Sequence, residues 1–340
     1  MKRFLIIPMA LFVLTVCSEE HSNDFTRDST PISGEFIEVD GLLGRPSNLI
    51  YIDGFLLMED VYDGKALTLL DVETGRIVNR LLSVGGGPDE VLPGSGRMSY
   101  SQENRELYRF QIQSGDFYTY AVPAFGRAEE WIPERKSSVR LADRPANAVA
   151  MSEALVGIGP FEDGRYHVYD KNGTFVSAAG SYPFEGEKID YIPRFFLYQG
   201  YFCAQPGGNR FAQGCSYSDH LEFYEIENGI RPIKQYGSTD VRASFGDNRI
   251  ILDDNCLLGY KGSYATESYC YMLYSGRTYA ENRRQKMWAK YIFVFDWNGR
   301  FVRSFVADKL IYSFCVDEKN EVIYGIGMHK EEYALMKFKI

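Results

Sequence analysis

The 340-residue sequence holds no eighteen-residue apolar run, no C-x-x-C pair and no His-x-His or His-Glu-x-x-His spacing. No segment sustains apolar residues at a 3.6-residue period. The first absence removes a stable membrane-spanning helix, and the second removes the common zinc and redox signatures. In place of a helical period, short alternating or solidly apolar runs bounded by Gly, Asn and Asp dominate, which is the pattern of strands. Histidine is scarce, with His21, His167, His220 and His329 scattered along the chain, so a metal or triad site is not expected. Positive charge is also short, with 37 basic against 46 acidic residues and a net charge of −9. An acidic surface repels nucleic acid and anionic lipid, which makes both poor partners. What the chain does have is aromatic residues, 25 Tyr and 23 Phe. These side chains suit pleated, half-buried surfaces and tilt the composition towards sheet.

The N-terminus reads as an export signal. Met1-Lys2-Arg3 is basic, and Phe4 to Val16 is apolar except for Pro8 and Thr15. Such a run is too short to span a bilayer but suits a signal-peptide core. Leu14-Thr15-Val16-Cys17 resembles a bacterial lipobox, which implies removal of residues 1–16 and lipid attachment at Cys17. Val16 departs from the small residue usual at that position. Cleavage after Ser18 or a retained anchor are the alternatives. Removing the leader leaves 35 basic against 46 acidic residues, net −11. Residues 17–33 open with Ser18-Glu19-Glu20 and continue through a polar stretch whose one aromatic is Phe25. That composition predicts a flexible acidic tether. An outer-membrane lipoprotein is expected, with surface and periplasmic faces both open.

With Cys17 acylated, Cys203, Cys215, Cys256, Cys270 and Cys315 remain, an odd number that argues against a disulfide framework. Cys203 and Cys215 flank Pro206-Gly207-Gly208-Asn209, so pairing across a hairpin is one reading. Free buried thiols are the other, and the one expected.

One hairpin recurs from residue 67 onwards: an apolar strand, a polar turn ending in glycine, and a second strand. The turn glycines are Gly75, Gly115, Gly173, Gly229 and Gly299, at intervals of 40, 58, 56 and 70 residues. Asn172-Gly173, Asn228-Gly229 and Asn298-Gly299 carry the strongest short hairpin signal, because both residues tolerate positive φ. Each interval fits a four-stranded blade with its loops. Ile311–Ile340 supplies a sixth unit, and Glu35-Phe36-Ile37-Glu38-Val39 is placed to complete it. The expected fold is therefore all-β, a six-bladed β-propeller of four-stranded antiparallel blades occupying residues 34–340. Its ring would be closed by an N-terminal strand joining the last blade. Five or seven blades, or a two-sheet sandwich, are the structural alternatives.

Pro46 to Asp60 resembles the opening of an NHL-type or TolB-like blade, and Ser83 to Val91 is similar to the glycine-rich blade connection of TolB-like six-bladed propeller lipoproteins. Tyr274-Ser275-Gly276-Arg277, Val294 to Gly299 and Phe314-Cys315-Val316-Asp317 fit the same family. The resemblance implies a fold and supplies no catalytic residues.

Residues that could carry chemistry have ordinary readings too. Gly85-Gly86-Gly87-Pro88 is followed by Asp89-Glu90, which would repel phosphate, so it reads as a turn between blades. Glu59-Asp60, Asp89-Glu90 and Asp253-Asp254 read as solvated turn acids, since neighbours on a strand point to opposite faces. Carboxylates from several blades meeting in a channel, with Ca²⁺, would instead make a glycan- or lactone-acting hydrolase or lyase. No cofactor is expected, and Ca²⁺ has no positive support. Tyr264, Tyr269, Tyr271 and Tyr274 read as packing between blades or as a sugar platform. The candidate binding loop is Tyr279, Arg283, Arg284, Lys286 and Trp288, where guanidinium pairing and ring stacking would hold an anionic glycan or a protein. The expected function is non-enzymatic binding of an envelope protein or glycan. Membrane contact would come through the lipid alone.

Overall fold

The computed structural model describes residues 22–92, 96–125, 128–183, 190–227, 229–246, 249–283 and 288–340. Residues 1–16 and Cys17 lie outside them. The described strands form four separate four-stranded antiparallel sheets, one two-stranded hairpin and one eight-stranded sheet. Sheet 1 is Ser47–Ile52, Phe55–Tyr62, Lys65–Asp71 and Ile77–Ser83. Sheet 2 is Gly96–Ser101, Glu106–Gln111, Asp116–Ala121 and Glu134–Arg140. Sheet 3 is Asn147–Ala150, Leu155–Ile158, Tyr166–Tyr169 and Phe175–Ala179. Sheet 4 is Gly200–Ala204, Arg210–Cys215, Leu221–Ile226 and Ile230–Tyr236.

The eight-stranded sheet hinges on one 17-residue strand, Phe301–Asp317. Its first half pairs with Ala289–Asp296 and ends a portion that starts with Leu257–Ala265 and Tyr269–Thr278, called sheet 5 below. Its second half pairs with Val322–His329 and begins sheet 6, which continues through Glu332–Lys339. Gly34–Ile37 completes sheet 6 by lying antiparallel on Glu332–Lys339. The hairpin Ala243–Gly246 and Arg249–Leu252 sits between sheets 4 and 5 in the chain.

The middle strands of the sheets are buried on both faces, which explains their solid apolar runs, whereas outer strands such as Glu134–Arg140 are largely exposed. Phe55–Tyr62 holds five successive buried residues, Leu56 to Asp60. A lone sheet could not bury both faces, so each packs against two neighbours. Leu57 and Leu67 of sheet 1 share a core with Leu107 and Tyr120 of sheet 2. Phe110 and Phe117 meet Leu155 and Tyr169 between sheets 2 and 3. Ile158 and Tyr166 meet Phe202 and Phe211 between sheets 3 and 4. Leu221 and Phe223 meet Cys270 and Phe293 between sheets 4 and 5. Leu273 and Ile292 meet Phe314 and Ile323 between sheets 5 and 6. Leu56 and Leu70 of sheet 1 meet Tyr324 and Leu335 of sheet 6.

The turn between third and fourth strands touches the preceding sheet. Gly75, at φ 72°, accepts from the Asp40 amide at 2.9 Å, just past the outer strand of sheet 6. A Cβ there would stand 1.9 Å from the Glu38 carbonyl oxygen. Gly299 accepts from the Tyr236 hydroxyl of sheet 4 at 2.6 Å. Gly115 differs from the pattern expected for it. It joins the second and third strands of sheet 2, whereas Gly75, Gly173, Gly229 and Gly299 join third and fourth strands. Both turns need the same positive φ, so the local signal is the same.

Two further expectations are corrected. The tether of residues 17–33 does not stay free from Ser22 on. Ser22–Arg27 is a short helix, Phe25 is 7% exposed, and Thr30–Ile32 runs parallel to Phe305–Ala307. The Phe25 ring stacks on Phe301 at 4.5 Å and meets Tyr236, Phe293 and Phe295 edge-on. One aromatic with a prepared apolar slot is enough to dock a polar segment. Glu59 and Asp60, expected as solvated turn acids, are buried on a central strand. Glu59 pairs with Arg109 of sheet 2 at 2.9 Å, and Asp60 accepts from the Gly44 amide and the Thr68 hydroxyl.

Candidate ligand-binding site

The first strand of every sheet is its inner strand. These strands lie side by side in the order 1 to 6, and that of sheet 6 also lies against that of sheet 1. They border a common space. At their C-terminal ends it opens into a cup of about 610 Å³. Its lining comes from sheets 1, 2, 4, 5 and 6, through Tyr51, Tyr100, Pro206, Tyr264, Thr266 and Glu318 among others. Deeper in, an 80 Å³ section is lined by Tyr100, Phe202, Cys203 and Tyr264. A second opening of about 220 Å³ lies at the N-terminal ends, between Asn48, Arg97, Tyr201 and Tyr312. There the Arg97 guanidinium sits 5.2 Å from the Tyr201 ring, a cation–π contact between sheets 2 and 4.

Three carboxylates of the cup, Glu318, Asp317 and Asp53, already have partners. Glu318 accepts from the Thr266 hydroxyl at 2.7 Å and the Tyr271 hydroxyl at 2.8 Å. Asp317 accepts from the Asn320 amide nitrogen at 2.6 Å and its backbone N–H at 3.2 Å. Asp53 pairs with Arg105 at 2.8 Å. Burial, and then the hydrogen bond to Asp317, push the Tyr51 phenol well above its ordinary range, so it stays a neutral hydroxyl. The Tyr51 ring also stacks on Tyr324 at 5.6 Å. Glu267 is exposed on the rim beside Ser268. The result is a polar, aromatic bowl with fixed acceptors and neutral hydroxyl donors. Among the described residues no group of three or more His, Cys, Asp or Glu is placed to hold a metal ion.

Of the basic loop expected to bind, Tyr279, Arg283 and Trp288 lie at the other end. Thr278 caps the helix Tyr279–Asn282 through a capping box with Glu281. The Tyr279 amide donates to the Cys256 carbonyl, just before the inner strand of sheet 5 begins. Arg283 is paired with Asp254 and lies 5.0 Å from the Tyr279 ring. Trp288 packs 5.6 Å from Tyr312, which lines the smaller opening. Arg284 and Lys286 lie outside the described residues. Of the tyrosine run, Tyr271 and Tyr274 are core residues on opposite faces of one strand, and Tyr264 lines both openings. Gly85 to Pro88 joins sheets 1 and 2, with the Glu90 carboxylate accepting from the Gly87 amide at 2.8 Å. His167 is held between Asp143 at 2.9 Å and Asp163 at 2.7 Å on sheet 3, away from the cup. Tyr51, Tyr100, Thr266 and Glu318 were missed as site residues. Their common signal is position, at or just past the end of a unit's first strand or in its partner turn, and that requires the phase of the repeat.

Sheets packed face to face around a shared space, with a cup at one end, define a β-propeller. The model of the TolB-like 6-blade propeller-like family matches residues 40–319, and the chain belongs to that family. Its fold is shared with a Bacteroides fragilis protein named as exported, at TM-score 0.52 and 11% identity, over 94% of this chain and 97% of that one. It is also shared with a member of the DUF4221 family from Bacteroides vulgatus, at TM-score 0.53 and 10% identity, over 92% and 97%. No curated protein matches the chain. No helix among the described residues is long and apolar enough to cross a membrane.

Proposed function

We propose that the chain is an exported, lipid-anchored propeller of six blades that binds an envelope glycan in the cup without transforming it. The four separate sheets and the two halves of the eight-stranded sheet supply the blades. The strand Gly34–Ile37 on Glu332–Lys339 would close the ring, and the shared core of sheets 1 and 6 supports this reading. Anchoring at Cys17 after loss of residues 1–16 fits the sequence and the exported relative. The observation that carries the binding reading is the cup itself. Its volume suits a small oligosaccharide. Its tyrosine rings offer stacking faces, and Glu318, Asp317 and Asp53 are pinned as hydrogen-bond acceptors rather than gathered as ligands or as an acid–base pair. Neutral hydroxyl-rich ligands match that chemistry better than anions.

The test is calorimetric titration of the purified protein with neutral oligosaccharides released from envelope polysaccharide. The expected result is saturable binding that Glu318→Gln with Tyr100→Ala weakens at least tenfold. No binding by any fraction would overturn the reading. New reducing ends or unsaturated products would replace it with the hydrolase or lyase alternative.

A further inference from the structure

We propose that Cys203 and Cys270 are an oxidisable pair that closes into a disulfide across the interface of sheets 4 and 5. Cys203 lies on the inner strand Gly200–Ala204, and Cys270 on Tyr269–Thr278, 67 positions away. Their sulfur atoms are 3.7 Å apart, and both thiols are free. A disulfide needs about 2.05 Å, so small rotations about the two Cα–Cβ bonds must close a gap of roughly 1.7 Å. Cys203 and Cys215 flank the same hairpin turn. In the hairpin, however, Cys203 faces Ala212 and Cys215 faces Gly200. Cys215 instead points at the Leu197 carbonyl and Cys256 at the Tyr217 carbonyl. Cys315 lies in the core between sheets 1 and 6.

The two thiols differ in access, which sets the order of steps. Cys203 is 8% exposed and lines the narrow section of the channel. Cys270 is 0% exposed, and burial holds its thiol protonated. A small-molecule or protein disulfide is the oxidant. The Cys203 thiol gives up its proton, and its sulfur attacks one sulfur of that disulfide, expelling a thiolate and leaving a mixed disulfide. The Cys270 thiol then loses its proton, and its sulfur attacks the Cys203 sulfur and expels the second thiolate. The two expelled thiolates take the two protons. The oxidant is reduced to two thiols, and the pair is oxidised by two electrons. An exported protein meets such oxidants. The raised Cys270 thiol makes the second step slow, on the scale of minutes to hours. The bond would tie neighbouring sheets beside the channel.

The experiment uses the purified, reduced, full chain incubated with oxidised glutathione, then denatured, alkylated, digested and mapped by mass spectrometry. The expected product is a peptide pair linked through Cys203 and Cys270, with Cys215, Cys256 and Cys315 alkylated. Cys203→Ser and Cys270→Ser should each abolish it, while Cys215→Ser with Cys256→Ser should keep it. The oxidised protein should melt roughly 5 °C above the reduced one. A persistent glutathione adduct at Cys203, five alkylated thiols, or a different pairing would overturn the proposal. So would a linked product that melts below the reduced protein, since that pairing would not be the native one.

Discussion

Buried charges between the sheets act as fixed pairs. Arg165 of sheet 3 and Glu222 of sheet 4 are both buried and in contact, and Glu222 also accepts from the Tyr224 hydroxyl at 2.6 Å. Burial works most strongly against the Glu222 charge, but the Arg165 guanidinium, His220 and the Tyr224 hydroxyl together outweigh it and hold the carboxyl down at about 2. A depressed carboxyl stabilises the fold fully above its unfolded value near 4.5, and the contribution is lost as pH falls through about 2. Glu222→Gln should therefore cost about 3–5 kcal/mol at pH 7, because it strands a buried guanidinium. In melting curves its deficit against the wild type should shrink steadily from pH 4.5 downwards. A deficit independent of pH would mean that the charge is not what matters. Gly75 is a second single-residue test. Alanine there combines a positive φ with a 1.9 Å approach to the Glu38 carbonyl. The expected loss is more than about 2 kcal/mol by chemical denaturation, against a few tenths for Gly86→Ala, where a Cβ meets nothing within 4 Å.

The N-terminal segment behaves as an element held by one side chain. Phe25 fills a slot formed by Tyr236, Phe293, Phe295 and Phe301, and its carbonyl accepts from the Ser304 hydroxyl at 2.7 Å. Phe25→Ala should release residues 22–32 without unfolding the sheets. Limited trypsin digestion should then cut after Arg27 at least tenfold faster while the main melting transition moves little. Equal cleavage rates would show that the strand Thr30–Ile32 holds the segment by itself. Composition pointed to a free tether here because a polar segment with one aromatic cannot make a core of its own. The receiving slot is built from residues more than 200 positions away, which no local window contains. The same applies to Glu59 and Asp60. Their partners, Arg109 and Arg80, are reached only through sheet pairing and sheet stacking.

Among the described residues, every pair of neighbouring sheets shares an apolar core, and that between sheets 1 and 6 is built like the others. If the first and last sheets are joined by Gly34–Ile37, deleting residues 22–40 should open the molecule at one seam. The bare edge of Glu332–Lys339 would then be free to pair with another chain. Size-exclusion chromatography should show oligomers or aggregates, and the melting temperature should drop by several degrees. A deletion that stays monomeric and equally stable would place closure elsewhere.

The sequence alone determined the all-β class, most of the glycine turns and the family, because these follow from backbone preferences and apolar patterning within a few residues. Gly115 shows the limit of that reading, since turns at two different places in a sheet demand the same positive φ. Tertiary structure decided which residues share a space. The cup is made of Tyr51, Tyr100, Thr266 and Glu318, drawn from four sheets, while the conspicuous Arg283 and Trp288 fall at the opposite end. Convergence of this sort depends on the stacking angle and order of whole sheets, which are set by long-range packing and leave no trace in local spacing.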